Sequence, residues 1–406
     1  MKIRHIIIAV TAMLSVACNQ EPATETTGGV SLHSELGGAA VGFERACETR
    51  QFNFPQDHGA HRSFRNEWWY ITGNAEDTSG QKFGFHVTFF RIANKPPSPA
   101  SDITSSDTTG SDTTASDKAS STTPIASSWA SNEFYMAHFA VTTEDREIKK
   151  FERFARGAAG LAGAEINIAA EANDTVRVWL DDWQLSGRYN NSDQPDKLSW
   201  HLSMPASDTE LNLTLTPQKP IVLQGDAGYS QKSADPCNAS YYYSLTRLQA
   251  TGSLDIDGTS HNIDGTAWLD REWSSSALGD NQSGWDWFAL QLDDGRDIML
   301  YQLRLRDGTR DTWSHAVEID QHGNSQEIPI RNIELKTTRW WQSDAGNRYP
   351  VAGVIRRKDT GETIEFQPLT DNQELDFTVR YWEGSIALTS DSGKSIGRGY
   401  MELTGY

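Results

Sequence analysis

Cysteine is nearly absent: the 406 residues hold three, Cys18, Cys47 and Cys237. That leaves too few thiolates for a structural zinc site built from sulfur ligands. The signatures of the common catalytic folds are missing too. There is no GxSxG elbow, no P-loop, no dinucleotide fingerprint and no HExxH, so hydrolase, kinase and dehydrogenase readings on those folds lose their support. His58, His61, His86, His138 and His315 are scattered. Neither a metal nor a cofactor is expected. Positive charge is scarce as well, with 36 Lys and Arg against 55 Asp and Glu and a formal net charge of -19. Such a surface repels nucleic acid, and no nucleic-acid partner is expected.

Long apolar runs are also lacking. The one at the N-terminus, Ile6 to Val16 behind Lys2 and Arg4, has the shape of a secretory signal and is too short to span a membrane. It ends in Leu14, Ser15, Val16, Ala17 and Cys18, which resembles a bacterial lipoprotein processing site, although Ser15 is less typical than an aliphatic residue there. On this reading Cys18 carries a lipid, and Asn19 after it points to the periplasmic face of the outer membrane. The alternative is an ordinary signal with Cys18 incidental. Loss of Lys2 and Arg4 with the signal moves the charge from -19 to -21. In an oxidising envelope, Cys47 and Cys237 either pair as one disulfide or remain thiols.

Residues 19–46 read as a tether. A Ser/Thr/Asp-rich tract at 96–128 reads as a flexible insertion between strands, because it cannot bury enough apolar surface to offset ordering. Elsewhere short alternating runs dominate, such as FGFHVTFF (83–90), LNLTLTP (211–217) and DIMLYQLRL (297–305). Apolar residues at period two between Gly, Asp, Asn or Pro predict strands and an all-β fold. The segment at 67–91 has an echo at 285–306, and MAHFAVT (136–142) has one in SHAVEI (314–319). Echoes in the same order predict two related all-β halves, 47–245 and 246–406. Closure into antiparallel barrels would protect their edges.

The most unusual stretches are aromatic: NEWWYITG (66–73), YYYSLTRL (241–248), GTAWLDREW (265–273) and GWDWFALQL (284–292). With 14 Trp and 12 Tyr in the chain, a ring-lined cavity is expected, competing with the reading that many rings are core. Trp68, Trp69, Tyr70, His86, Tyr242, Trp268, Trp285 and Trp287 are the candidate ligand contacts. Alternation puts Glu67 with Trp69 on one face and Trp68 with Tyr70 on the other. It likewise puts Trp268, Asp270 and Glu272 together, opposite Leu269, Arg271 and Trp273. If the first of those faces is the barrel lumen, poor solvation beside a ring raises the pKa of Asp270 and makes it a general acid. An ion pair with Arg247, Arg271 or Arg304 would instead hold it ionised. Glu67 poses the same choice, with Arg62 or Arg65 as partners. Asp286 is a third candidate acid, or a turn residue after Gly284.

HRSFRNEWWYITGN (61–74), LQGDAGYSQKS (223–233), ASYYYSLTRLQATGSL (239–254), GTAWLDREW (265–273), GWDWFALQLDDGRDIMLYQLR (284–304), YWEGSIAL (381–388) and GRGYMELTGY (397–406) together resemble the AttH-like family, which includes carotenoid 1,2-hydratase and kievitone hydratase. The resemblance implies two lipocalin-like β-barrel domains and a lipophilic ligand. It also implies one of two roles. The first is a lipid-anchored binding protein working with the permease of an ABC-type exporter. The second is a hydratase that adds water across an alkene of an isoprenoid or carotenoid-like substrate. In that second role Asp270 is the acid beside Trp268, with Glu67 and Trp69 at the other wall.

Overall fold

The computed structural model describes residues 40–96, 127, 129–145, 148–167, 175–189, 198–276 and 278–406. Cys18, residues 19–39 of the expected tether and all of the 96–128 insertion except 96 and 127 lie outside the described residues, while the end of the tether is part of the fold, with Ala46 buried beside Phe64 and Tyr241.

The alternating runs form strands. In the first sheet they are β1 (Asn66–Asp77), β2 (Lys82–Ala93), β3 (Glu133–Thr143), β4 (Ile148–Arg156), β5 (Ala162–Ile166), β6 (Val176–Leu180), β7 (Trp183–Tyr189), β8 (Leu198–Pro205), β9 (Thr209–Pro217), β10 (Val222–Leu223), β11 (Tyr229–Gln231), β12 (Ala239–Ile256) and β13 (Thr259–Ser274). In the second they are β14 (Gln282–Leu292), β15 (Asp297–Leu305), β16 (His315–Ile319), β17 (Ser325–Glu327), β18 (Ile333–Gln342), β19 (Arg348–Arg357), β20 (Thr363–Pro368), β21 (Glu374–Asp376), β22 (Arg380–Ser390) and β23 (Ser395–Thr404). Both sheets pair antiparallel throughout the described residues and curl into lipocalin-like barrels. The sequence expectation of an all-β protein with two such barrels holds.

The echoes are topological. The first sheet runs β4-β3-β2-β1-β13-β12 and the second runs β17-β16-β15-β14-β23-β22, so β1, β2 and β3 occupy the places of β14, β15 and β16. The division between the sheets falls at 275–281, not at 245/246, which lies inside β12. Each half ends on a hairpin that returns beside its own first strand, and β12–β13 is the hairpin that closes the first half. The echoed segments cover β1–β3 and β14–β16 and so do not mark that closing hairpin.

Each barrel interior is filled by its own side chains. Trp69, Ile71, Phe85, Phe139, Trp183, Trp200 and Leu269 belong to the first core, and Phe288, Leu290, Tyr349, Val351, Trp382 and Met401 to the second. Because side chains alternate along a strand, the same β1 and β13 that feed the first core also present Tyr70 and Trp268 outward, where they pack on Trp287, Met299 and Tyr400 of the second barrel. Asn74 pins this contact by donating to the Gly399 carbonyl at 3.0 Å and accepting from the Ser385 hydroxyl at 2.5 Å. Cys47 and Cys237 are joined as a disulfide, which ties the segment before β1 to the loop after β11.

Candidate functional site

A cavity opens between the barrels, not inside either one. One wall comes from the outward faces of the first sheet: Trp68 and Tyr70 of β1, Thr88 and Phe90 of β2, Tyr242 of β12, and Asp270 and Glu272 of β13. The facing wall is Trp285 and Trp287 of β14, Tyr301 and Leu303 of β15, Tyr381 of β22 and Glu402 of β23. Ser230, Lys232, Ser276 and Leu278 complete the lining. The barrel lumens are packed because large rings point inward there. The free space lies where two aromatic outer faces meet without filling the gap.

Asp270 is buried and pairs with no arginine among the described residues. Its carboxyl accepts hydrogen bonds from the Tyr242 hydroxyl at 2.6 Å, the Ser244 hydroxyl at 2.5 Å and the Trp268 indole at 2.6 Å. Trp287 in turn donates to Tyr242 at 3.2 Å. Burial pushes the Asp270 carboxyl up to about 7; its three donors oppose the shift and the charge of Glu272 adds to it. The arginines that would have held it ionised are engaged elsewhere: Arg271 with Glu67, Arg247 with Asp297 and Arg304 with Asp286.

Three more acids surround this point. Glu402 keeps some accessible surface, but that surface faces the cavity, and enclosure by protein pushes it up to about 8 against a hydrogen bond from Trp285. Glu383, behind the wall, accepts from the Tyr70 hydroxyl at 2.5 Å. Burial, reinforced by Glu402, holds Glu383 well above the usual carboxylate range. Glu272 instead pairs with the Lys232 ammonium at 2.5 Å and accepts from Ser240. Lys232 also lies 5.8 Å from the Trp68 ring centre. The arrangement is therefore an aromatic chamber with two carboxyls at its wall, Asp270 and Glu402, whose pKa values burial raises, and one ion pair among its lining groups.

The sequence profile of the AttH-like family matches residues 45–406. The chain belongs to the AttH-like family. A solved AttH protein from Nitrosomonas europaea is similar to it at 33% identity and a TM-score of 0.69, over 90% of this chain and all of that one. Kievitone hydratase from Nectria haematococca shares the fold at 14% identity and a TM-score of 0.58, over 90% of this chain and 98% of that one. Among curated protein sequences, none matches the chain.

In this AttH-like protein the face-sharing read from β1 and β13 is correct, but the face that carries Asp270 points out of its barrel rather than into a lumen, and Trp68, Tyr70, Tyr242, Trp285 and Trp287 line the cavity formed there. Trp268 stands one layer back, where it donates to Asp270. Four expectations about individual residues are corrected. Glu67 is not at the cavity: it faces the first barrel's interior, bonded to Arg91 and Arg271 and to the His61 backbone, and its partners are not Arg62 or Arg65. Trp69 shares that inward face, donating to the His58 carbonyl at 2.9 Å with the Arg271 guanidinium 3.9 Å from its ring centre. His86 is buried beside Tyr70, at 5.3 Å between ring centres, and bonds Thr88 rather than lining the chamber. Asp286 is no turn residue: it sits within β14, held by Arg304 at 3.0 Å and by the Tyr406 hydroxyl at 2.7 Å.

The acids on the second barrel were missed. Glu383 and Glu402 lie in YWEG and YMEL, where an aromatic ring stands two residues before a carboxylate and so shares its face. That is the same signal that singled out Asp270 behind Trp268. It was available in both stretches.

Proposed function

We propose that the protein is a hydratase, or a related carbon–oxygen lyase, acting on an alkene of a lipophilic substrate held between the barrels. The observation that carries this reading is Asp270, a buried carboxyl without a cationic partner whose pKa is pushed up to about 7 in an aromatic cavity. An acid so poised is substantially protonated near neutral pH and still able to give the proton up. Adding water to an isolated alkene begins with such a transfer. The π electrons take the Asp270 proton to form a C–H bond, and positive charge develops on the neighbouring carbon. Ring faces of the kind supplied by Trp68, Trp285 and Trp287 attract a cation. Water then attacks that carbon, and loss of one of its protons gives the alcohol. The shared fold with a hydratase supports the same reading.

The test is incubation with a panel of isoprenoid and carotenoid alkenes in ¹⁸O-labelled water. Label should enter an alcohol product with the native chain. Asp270→Asn, which keeps the shape but holds no acidic proton, should reduce the rate about 10²–10⁴-fold, the usual worth of a positioned acid. No incorporation across the panel, or an unaffected Asp270→Asn, would end the proposal for those substrates.

A membrane-anchored setting is part of the proposal, motivated by the run ending in Cys18. An anchored chain would take its lipophile from the adjacent bilayer, alone or alongside an ABC-type permease. Growth with labelled fatty acid should mark the protein, and mutation of Cys18 to Ser should abolish the label. An unlabelled native chain would refute the anchor.

A further inference from the structure

Hydration needs a proton taken from water as well as one given to carbon, and Asp270 supplies only the second. Tyr381 forms part of the second barrel's side of the cavity. Its hydroxyl meets His138 Nδ1 at 2.6 Å, and His138 Nε2 meets Glu152 Oε1 at 3.1 Å. His138 is fully buried on β3, packed against Phe90, Phe377 and Tyr381. The Glu152 side chain, on β4, is 17% exposed to solvent; it also accepts from the Thr378 backbone amide at Oε1 and from the Thr378 hydroxyl at Oε2, each at 3.0 Å. The three residues make a continuous line from the chamber wall to the outside.

The direction of these hydrogen bonds follows from what each group can do. Burial works against ionisation of Glu152, but its hydrogen bonds from His138 and Thr378 outweigh it and hold the carboxyl below the usual range. An ionised carboxylate only accepts, so Nε2 carries the imidazole proton. Burial keeps the imidazole neutral, against the pull of Glu152. Its Nδ1 is therefore bare, and the Tyr381 O–H donates to it. This sets Tyr381 apart from Tyr70 and Tyr242, whose hydroxyls are spent on Glu383 and Asp270. A phenol whose proton is already directed outward offers its oxygen to the chamber as an acceptor.

Resting on the hydratase reading, we infer that Tyr381 is the base that deprotonates the attacking water, and that His138 and Glu152 are positioning residues that carry the proton out. As the water oxygen bonds to the cationic carbon, one of its O–H bonds breaks towards the Tyr381 oxygen. The Tyr381 proton passes to His138 Nδ1, the Nε2 proton passes to Glu152, and Glu152 releases it to solvent. This leaves His138 protonated on Nδ1; the relay is reset when Glu152 takes a proton back from solvent and hands it to Nε2, the Nδ1 proton returns to the Tyr381 oxygen, and a Tyr381 proton passes across the chamber to Asp270 to replace the one given to carbon, so the net change over the cycle is addition of one water.

Two measurements on the full chain decide this. In protein labelled with ¹⁵N at histidine, His138 is assigned by its loss in His138→Gln. It should show protonated Nε2 and hydrogen-bonded, unprotonated Nδ1, and Tyr381→Phe should shift the Nδ1 signal alone. A proton on Nδ1 would overturn the relay, since Tyr381 could then pass nothing outward. On whichever alkene turns over, Tyr381→Phe and Glu152→Gln should each lower kcat at least tenfold with KM within twofold. Glu152 lies away from the chamber, so an unchanged kcat in Glu152→Gln beside an inactive Asp270→Asn would refute the relay and spare the hydratase reading. If no alkene turns over with the native chain, the hydratase reading falls, and the histidine tautomer still decides whether the path runs outward.

Discussion

Glu67 and Asp270 are both buried carboxylates on strands that pair with each other, and their surroundings drive them to opposite charge states. Burial alone would raise the pKa of Glu67, but Arg91, a hydrogen bond from His61 and Arg271 together hold it well below the ordinary 4.5. Removing its charge leaves the fully buried Arg271 guanidinium without a carboxylate among the described residues, and Arg91 with Glu133 alone. Glu67→Gln should therefore cost about 3–5 kcal/mol in denaturant unfolding, the usual result of breaking a buried pair from one side. The pH dependence has a definite sign. With the folded pKa depressed, this group's contribution is complete above the unfolded value of 4.5 and is lost as pH falls below it towards the folded value. The native protein should lose stability on that acid limb, and Glu67→Gln should flatten it. An equally steep limb in the variant would show that Glu67 does not hold the cluster together.

At the scale of elements, the chamber depends on how closely β1 and β2 can lie against β22 and β23. Gly84 of β2 makes that approach: a Cβ there would stand 2.6 Å from the Ser385 Cβ of β22, with no flexible atom to give way. Ser385 is also the residue whose hydroxyl donates to Asn74. Gly84→Val should push β2 off β22 and cost about 1–3 kcal/mol, as overpacking does, while leaving each barrel's own core untouched. Unfolding of the variant at native stability would mean that this contact is loose. Period-two alternation makes such faces legible, because it is local: which residues of β1 and β13 share a face can be read from NEWWYITG and GTAWLDREW alone, though not which face points out. The partners of Glu67 could not be read that way, since Arg91 lies 24 residues and Arg271 204 residues along the chain.

At the scale of the molecule, the repeat announced two barrels, and the aromatic excess announced a ring-lined space. Its location was not legible, because a sequence shows that a face is apolar but not what that face meets. The outward rings of both barrels pack against one another at the sides and leave the chamber between them. Asp270 is poorly solvated because Tyr242, Ser244 and Trp268 of the first barrel bond its oxygens and Trp287 and Glu402 of the second line the same cavity. Its protonation is thus a property of the assembled pair, and the proposed chemistry stands on it. The direct test is a titration of carboxyl ¹³C signals in the full chain, with Asp270 assigned by its absence in Asp270→Asn. The account predicts a midpoint at about 7. A midpoint near the ordinary 3.8 would leave an ionised carboxylate with no proton for carbon, and would contradict it.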